Sequence, residues 1–445
     1  MKTSKMIGIR LLSILLLITL FTGCSTGGEQ SSTEAKPSEG NVEKERVEIE
    51  FWYGLGGQLG ENVEDFIQQF NESQDEVTVK GVAQGNYDET FQALQAGIAA
   101  NDAPAAVLLT HDTMYGLAQR ELLTPLSSFI ERTEDFNLDD FVPAFLNQGK
   151  IGDELYSLPL FGTTQVLYYR HDLFEKAGVN PDSLKTWESL YEAATMLTEK
   201  DGSEVSVYGW EPMWGSGNMI DAALSGGAKY ISDDGKEVLL DSPEWIETWE
   251  FFRKAIHEDK IMRIHHGGQG WEYWYNTIDD VMQGRAAGYT GSSGDQGDLD
   301  FSIITAYPQP GWENHQAAPH ASAQTISIPA IVSDEEKEAA FKWMEFFTSA
   351  EMTAEWSMRT GYIAVRQSAR DVEAFQAFAK ENPQILVPLQ QAETATPPFI
   401  DPTGGQIYDA LSIAADRVQI EGVSAEVALK DAKEEAQKAL DKVNQ

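Results

Sequence analysis

The chain has 445 residues, with 71 Asp and Glu against 32 Lys and Arg, a formal charge of -39 and one cysteine. A field of that sign repels nucleic acid and anionic membrane, which excludes a nucleic-acid-binding role, and a lone cysteine excludes an internal disulfide. Once an N-terminal leader is set aside, about 400 residues remain, more than one hydrophobic core usually serves, so two lobes are expected.

The leader comes first. Lys2, Lys5 and Arg10 precede the apolar run Leu11 to Leu20, and Phe21-Thr22-Gly23-Cys24 closes it. A basic, then apolar, then small-residue pattern is that of a secretory signal peptide, and the apolar run is shorter than the roughly 20 residues a membrane-spanning helix needs. The cysteine after Thr-Gly resembles the acylation site of bacterial lipoproteins. The expectation is a leader over 1–23, lipidation at Cys24 and a body held outside the cytoplasm on the outer face of the membrane. Residues 24–46 are polar, with almost nothing to bury, and read as a flexible tether of about 25 Å coil dimension.

Beyond the tether, Val47-Glu48-Ile49-Glu50-Phe51-Trp52-Tyr53 alternates with strand period and breaks at Gly54-Leu55-Gly56-Gly57. A helix is predicted over Glu61 to Phe70, with Val63, Phe66, Ile67 and Phe70 on one face. A strand then follows at Val77 to Gly81, a helix over about Asp88 to Ala100 and a strand at Ala105 to Thr110. This alternation predicts an α/β fold with a mainly parallel sheet covered by helices. Residues 152–160 read as a hairpin leading inward, and Val166 to Arg170 as a buried strand. In the second half Ser242 and Pro243 mark a helix start ahead of Trp245, Trp249, Phe252 and Ile256. Ser333 with Glu336 forms a predicted capping box before Ala340, Met344 and Phe347. The last helix places Leu429, Ala432, Ala436, Leu440 and Val443 on one stripe.

Several segments, in order, resemble the extracellular solute-binding proteins of bacterial ABC importers, in the group that takes sugars and glycerol phosphates. They are Phe51-Trp52-Tyr53 with Gly57-Gln58-Leu59-Gly60, Gly85-Asn86-Tyr87, Ala103-Pro104-Ala105, Val166-Leu167-Tyr168-Tyr169, Lys185-Thr186-Trp187, Ser292-Ser293-Gly294 and Thr360-Gly361-Tyr362. The resemblance implies two lobes around a hinge and a ligand cleft, with residues 47–160 and 283–349 in one lobe and 161–282 and 350–445 in the other. It implies a monomeric binding protein and not an enzyme, delivering a carbohydrate to the transmembrane permease subunits of an ABC importer and touching the membrane only through its lipid. Neither metal nor cofactor is implied, and the chain's glycine clusters lack the lysine of a phosphate-cradling loop.

The same resemblance implies a set of cleft residues. Trp210 and Trp214 match a tryptophan pair that lines the family's site, with a spacing one residue longer here, and are the expected stacking platform for a sugar's C–H faces. The alternative is that one of the two is core. Tyr87 and Tyr362 match ligand-contacting tyrosines, and Thr163 and Ser292 match ligand hydroxyls, each of which could instead be a local turn or cap partner. Trp52, His111, Thr164 and Gln324 complete the set. Tyr408 stands where glycerol-phosphate binders carry a phosphate-gripping arginine. Losing that guanidinium removes strong charge-assisted bonds and favours a neutral mono- or oligosaccharide, with glycerol-3-phosphate or a glycerophosphodiester as the alternative. Arg366 could meet an anion or be a surface residue in a basic-acidic pair, and the surface pair is the favoured reading.

Two other classes compete. A secreted glycosidase needs two opposed carboxylates, and 71 acidic residues make any such pair uninformative. A metal-binding role is prompted by His265-His266, His111, His315 and His320, but these are scattered, whereas zinc wants tetrahedral convergence. The run Asp295 to Asp300 lacks the full calcium-loop pattern and reads as an acidic turn.

The acidic residues are spread over the predicted helices, which suggests a surface suited to a saline or alkaline habitat. At about 1 M salt the Debye length falls to about 3 Å and self-repulsion between exposed charges largely vanishes. The unfolding midpoint should therefore rise as NaCl is raised from about 0.1 to 1 M, and a calorimetric midpoint indifferent to salt would contradict this reading.

Overall fold

In the computed structural model, residues 46–392 and 395–444 are described. The leader, Cys24 and all of the expected tether except Arg46 lie outside them. Among the described residues no helix is long and apolar enough to cross a membrane.

The first predicted elements form as their patterns require. In the strand Val47–Tyr53 the alternate residues Ile49, Phe51 and Tyr53 are buried, and the helix Gly57–Ser73 turns Val63, Phe66, Ile67 and Phe70 inward. The helix Tyr87–Ala100 starts at Asn86, whose side chain accepts from the Glu89 amide, and ends at Asn101 in the left-handed conformation. The capping box at Ser333 and Glu336 is present, with both reciprocal bonds made. Ser242 differs. It precedes the helix Pro243–Arg253 with no side-chain cap bond, and its hydroxyl donates to the Glu244 carboxylate at 2.6 Å. On the last helix Leu429, Ala432, Ala436 and Leu440 are buried, while Val443 near its end is exposed.

One sheet organises the molecule. Its strand order is Val77–Ala83, Val47–Tyr53, Ala106–Leu109, Ala321–Ser327, Ser157–Arg170, Gly288–Ser292 and Glu211–Pro212, with Ile304–Tyr307 also paired to Ser157–Arg170. The first three strands run parallel. The expectation of a mainly parallel sheet fails at the centre: Ala321–Ser327 is antiparallel to both neighbours, and Gly288–Ser292 and Ile304–Tyr307 are antiparallel to the long strand, while the short edge strand Glu211–Pro212 is again parallel to its neighbour. The physical reason is re-entry. The chain leaves for the second half of the molecule along Ser157–Arg170 and returns along these strands in the opposite direction.

Two large cores flank this strand. The first joins Ile49, Phe51, Phe66 and Phe161 to Ala323, Ile326, Trp343, Trp356 and Tyr362. The second joins Leu167, Trp187, Trp210, Trp245 and Trp249 to Leu411, Leu429 and Leu440, and a smaller cluster on its side holds Val166, Tyr168, Met213, Ile278, Tyr289 and Ile304. This packing departs from the expected segments at two places. Residues 283–307, expected with the first lobe, pair with the second half of the long strand and bury Tyr289 and Ile304 beside Tyr168. The helix Ala350–Thr360, expected with the second lobe, sends Trp356 against Phe66 and Phe161 at ring-centroid distances of 5.5 and 5.3 Å. A buried ring removes roughly 150–250 Å² from water, so these apolar anchors decide on which side a segment packs.

Candidate functional site

A cavity of about 590 Å³ draws its lining from segments that pack with both cores. From the first side come Tyr87 and Asp88 at a helix start, His111 and Asp112 at another, Ser322 and Gln324 on a strand, and Tyr362. From the second come Asp221, Trp271, Trp274, Tyr275, Ser292, Asp295, Phe399, Tyr408 and Asp409. Thr163, Thr164 and Gln165 lie between them, midway along the strand Ser157–Arg170.

The floor is a hydrogen-bonded seam. Thr163 Oγ1 lies 3.3 Å from Ser292 Oγ. Thr164 Oγ1 donates to the His320 carbonyl at 2.8 Å and accepts from Gln391 Nε2 at 2.7 Å, so its hydroxyl is already used. Asp221, 2% exposed, accepts from the His320 amide at 3.2 Å and lies 3.1 Å from His320 Nδ1. His111 Nδ1 donates to the Gln148 carbonyl at 2.9 Å, and burial lowers the ring's pKa. The ring is therefore neutral and donates from Nδ1, which leaves Nε2 an acceptor.

Aromatic rings form the walls. Trp271, Trp274 and Tyr275 are spaced three and four apart, which puts them on one face at the start of the helix Glu272–Met282. Trp271 Nε1 donates to the Gly54 carbonyl and Tyr275 Oη to the Gly56 carbonyl, each at 3.1 Å. These bonds join a helix of the second side to the glycine loop that ends the first strand. A Cβ at Gly54 would lie 2.3 Å from the Asn86 carbonyl carbon, and one at Gly57 2.4 Å from Tyr275 Oη, so both approaches require glycine. Opposite, Tyr362 packs on Phe161 at 4.3 Å, and burial raises the pKa of its hydroxyl and that of Tyr87, keeping both neutral donors.

The electrostatics are one-sided. Six aspartates line the cavity, at 88, 112, 221, 295, 298 and 409, and among the described lining residues there is no Lys or Arg. Burial raises the pKa of Asp88, with the Asp112 charge adding to it, and burial with the Asp401, Asp112 and Asp88 charges raises that of Asp409. Gln165 and Gln324 each present a buried Oε1 with no partner among the described residues. The lining is rich in acceptors and poor in positive charge.

A family profile described as bacterial extracellular solute-binding protein matches residues 65–385. The chain belongs to the bacterial extracellular solute-binding proteins. It is similar to the sn-glycerol-3-phosphate-binding periplasmic protein UgpB of Escherichia coli O6:K15:H31, 25% identical over 369 residues that cover 79% of this chain and 82% of that one. It is also similar to UgpB of Mycobacterium tuberculosis in complex with glycerophosphocholine, with a TM-score of 0.78, 22% identity and coverage of 89% and 99%. The GacH receptor of Streptomyces glaucescens, solved unliganded and with acarbose, gives a TM-score of 0.77 at 16% identity and coverage of 89% and 99%. The fold is the two-lobe one of these proteins, and the chain is the substrate-binding protein of an ABC importer.

In this solute-binding protein eight residues expected in the cleft line the cavity: Tyr87, His111, Thr163, Thr164, Ser292, Gln324, Tyr362 and Tyr408. Three do not. Trp210 is 1% exposed, donates from Nε1 to Thr290 Oγ1 at 3.0 Å and lies against the Gly288 backbone, so it is core. Trp214 donates to Asp416 Oδ1 at 2.7 Å and meets Tyr273 edge-on at 4.8 Å. Trp52 donates to Glu50 Oε2 at 2.8 Å and packs on a cluster around Leu94 and Val107. Stacking surfaces come instead from Trp271, Trp274 and Tyr275. Their signal was the aromatic run 271–275 after the glycine-rich stretch 267–270, a helical face passed over because the Trp210 and Trp214 pair matched the family.

Tyr408 lines the cavity, though its hydroxyl donates to the Phe399 carbonyl at 3.2 Å. Arg366 is 8% exposed and donates to the Thr348 and Asn137 carbonyls at 2.7 and 2.6 Å, with its guanidinium 3.8 Å from the Phe141 ring centroid. It is a buried tie, away from the cavity. Of the histidines, His265 approaches Glu211 and Asp280, with possible ligand atoms all within 4.8 Å of one another. The Arg263 guanidinium already bridges those two carboxylates. The acidic run at 295 folds as a short 3-10 helix over Ser293–Asp298, with a Ser292 and Asp295 capping box.

Two outcomes follow from these placements. Trp210→Ala should cost about 3–5 kcal/mol of stability in urea unfolding, the usual penalty for emptying a buried tryptophan site. A variant as stable as wild type would remove Trp210 from the core. Asp295 is 5% exposed, and burial, with the Asp298 charge adding to it, pushes its pKa up to about 8 from an ordinary 3.8. The folded chain thus holds a proton that the unfolded chain releases, so the stability this group contributes is present below about pH 4 and lost as pH rises toward 8. Asp295→Asn should flatten the fall of stability over that window, whatever its effect on the level, and unchanged slopes in chemical denaturation would contradict the shift.

Proposed function

We propose that the chain captures a neutral polyol, a mono- or oligosaccharide, between its two lobes and delivers it to the permease of its importer. The observation that carries this reading is the lining: ring faces, hydroxyls, carboxylates and two unpaired amide oxygens, with no Lys or Arg among the described residues. A sugar offers what that surface lacks, an equator of hydroxyl donors between apolar faces. The volume falls within the roughly 300–1,000 Å³ of small-molecule sites. A phosphate monoester brings about -1.5 to -2 charge and would face six aspartates without an arginine fork.

We further propose that Cys24 carries the lipid, that the tether holds the body off the outer face of the membrane, and that the hinge crosses near residues 164–165, 308–320 and 395–405. Closure about that hinge would signal occupancy to the permease. The second reading is a glycerophosphodiester bearing a cation. It is favoured by the carboxylates of Asp88, Asp112 and Asp409, whose mutual repulsion a positive group would relieve, and the M. tuberculosis relative was solved with glycerophosphocholine.

A thermal-shift and calorimetry panel of maltose, maltotriose, glucose, sn-glycerol 3-phosphate and glycerophosphocholine separates these readings. A ligand at 100 times its dissociation constant stabilises by about 2.7 kcal/mol. The expected result is a shift with a saccharide and none with sn-glycerol 3-phosphate. Tight uptake of the phosphomonoester with indifference to every sugar would overturn the proposal.

A further inference from the structure

We infer that Asp295 is a positioning residue for ligand, one that sets the plane of the Trp274 ring and the place of Ser292 in the cavity wall. The inference rests on the reading of this cavity as the ligand site. Asp295 Oδ1 accepts from Trp274 Nε1 at 2.8 Å. Its Oδ2 accepts from Tyr289 Oη at 3.0 Å and from the Ser292 amide at 3.0 Å. One carboxyl thus joins the helix Glu272–Met282, the strand Gly288–Ser292 and the turn that follows it. Trp274 and Ser292 both line the cavity, and Ser292 in turn meets Thr163 across the seam.

The surroundings are built for a side chain of this shape. A Cβ at Gly291 would lie 2.3 Å from Asp295 Oδ2, and one at Gly294 2.1 Å from the Tyr362 ring, so two bare backbones make room for the carboxyl and the ring beside it. Tyr289 is held from its other face by Tyr168, with ring centroids 5.2 Å apart. With its two N–H donors fixed, Asp295 must accept on both oxygens. A protonated carboxyl still meets that demand, because Tyr289 Oη can rotate to accept the added proton while the two N–H donors keep their oxygens. An asparagine cannot. Whichever way its amide turns, the NH₂ group faces either the Trp274 indole N–H or the Ser292 amide N–H, two donors opposed.

Asp295→Asn therefore tests the geometry with almost no change in volume. In protein labelled with ¹⁵N at its 11 tryptophans, the Trp274 indole signal, assigned by its loss in Trp274→Phe, should be protected from solvent exchange in wild type. It should shift and lose protection in Asp295→Asn while the other indoles hold. Maltotriose and glycerophosphocholine serve as binding probes. For whichever binds wild type, Asp295→Asn should weaken affinity about tenfold, the upper worth of one ordinary hydrogen bond. In a Trp274→Phe background, where the opposed donor is gone, the same change should cost no more than about twofold. Equal losses in both backgrounds, or an unchanged indole signal in Asp295→Asn, would overturn the inference. Rapid exchange of the Trp274 indole in wild type would overturn it without any Asp295 variant, should that variant not fold. If neither probe binds wild type, the proposed function loses support while the indole signal still decides the role of Asp295.

Discussion

The strand Ser157–Arg170 is the constraint on which the rest depends. Its 14 residues span about 45 Å at strand rise, and its two halves belong to different neighbours. Residues 157–164 pair with Ala321–Ser327, and residues 165–170 pair with Gly288–Ser292 and Ile304–Tyr307. The change of partner falls at Thr164 and Gln165, where the two cores part and the cavity opens. Thr164 spends its hydroxyl on holding that junction, through the His320 carbonyl and Gln391. Its neighbour Gln165 keeps an acceptor unused. A site placed at such a junction senses the relative position of both halves, because any ligand touching residues 163–165 touches the segment they share.

Close approach across the cavity depends on glycine as much as on the aromatic rings. Tyr275 reaches the Gly56 carbonyl because Gly57 has no Cβ, which would lie 2.4 Å from its hydroxyl, and Tyr362 packs beside Gly294, where a Cβ would lie 2.1 Å from its ring. The bonds from Trp271 and Tyr275 to backbone carbonyls give the two sides a contact that needs no ligand. Each is an ordinary neutral hydrogen bond, worth about 0.5–1.5 kcal/mol. Two of them bias the halves toward contact without locking them, which suits a protein that must open to release its cargo.

The sequence showed the fold more fully than the site. Residues 47–110 alternate strand and helix in the periods that sterics impose, and the elements appear there within a few residues. Antiparallel return and lobe membership were not legible, because both depend on which core a remote ring enters. Trp356 and Tyr289 carry no local mark of the side they choose. For the site, hydroxyl and tyrosine positions transferred by resemblance landed on the cavity, since they sit on strands and helix starts whose geometry the fold fixes. The tryptophans did not transfer. Trp210 lies beside Gly288, a backbone gap 78 positions along the chain that no local pattern reveals, and Trp214 turns to Asp416, 202 positions away. The aromatic face at 271, 274 and 275 was visible by spacing alone, and its meaning came only from the glycine loop it meets.

Surface and cavity carry the same sign but answer to salt differently. Exposed acids repel one another through water, and at high ionic strength that repulsion dies within a few ångströms. The cavity acids act at contact distance, and two of them, Asp221 and Asp295, are almost fully buried and held by hydrogen bonds. Screening cannot reach between such a group and a ligand atom that touches it. A saline medium can therefore quiet the exterior without making the cleft hospitable to an anion. On the proposed reading, choice of ligand rests on short-range pairing of acceptors with donors, which a highly acidic chain keeps across a wide range of salt.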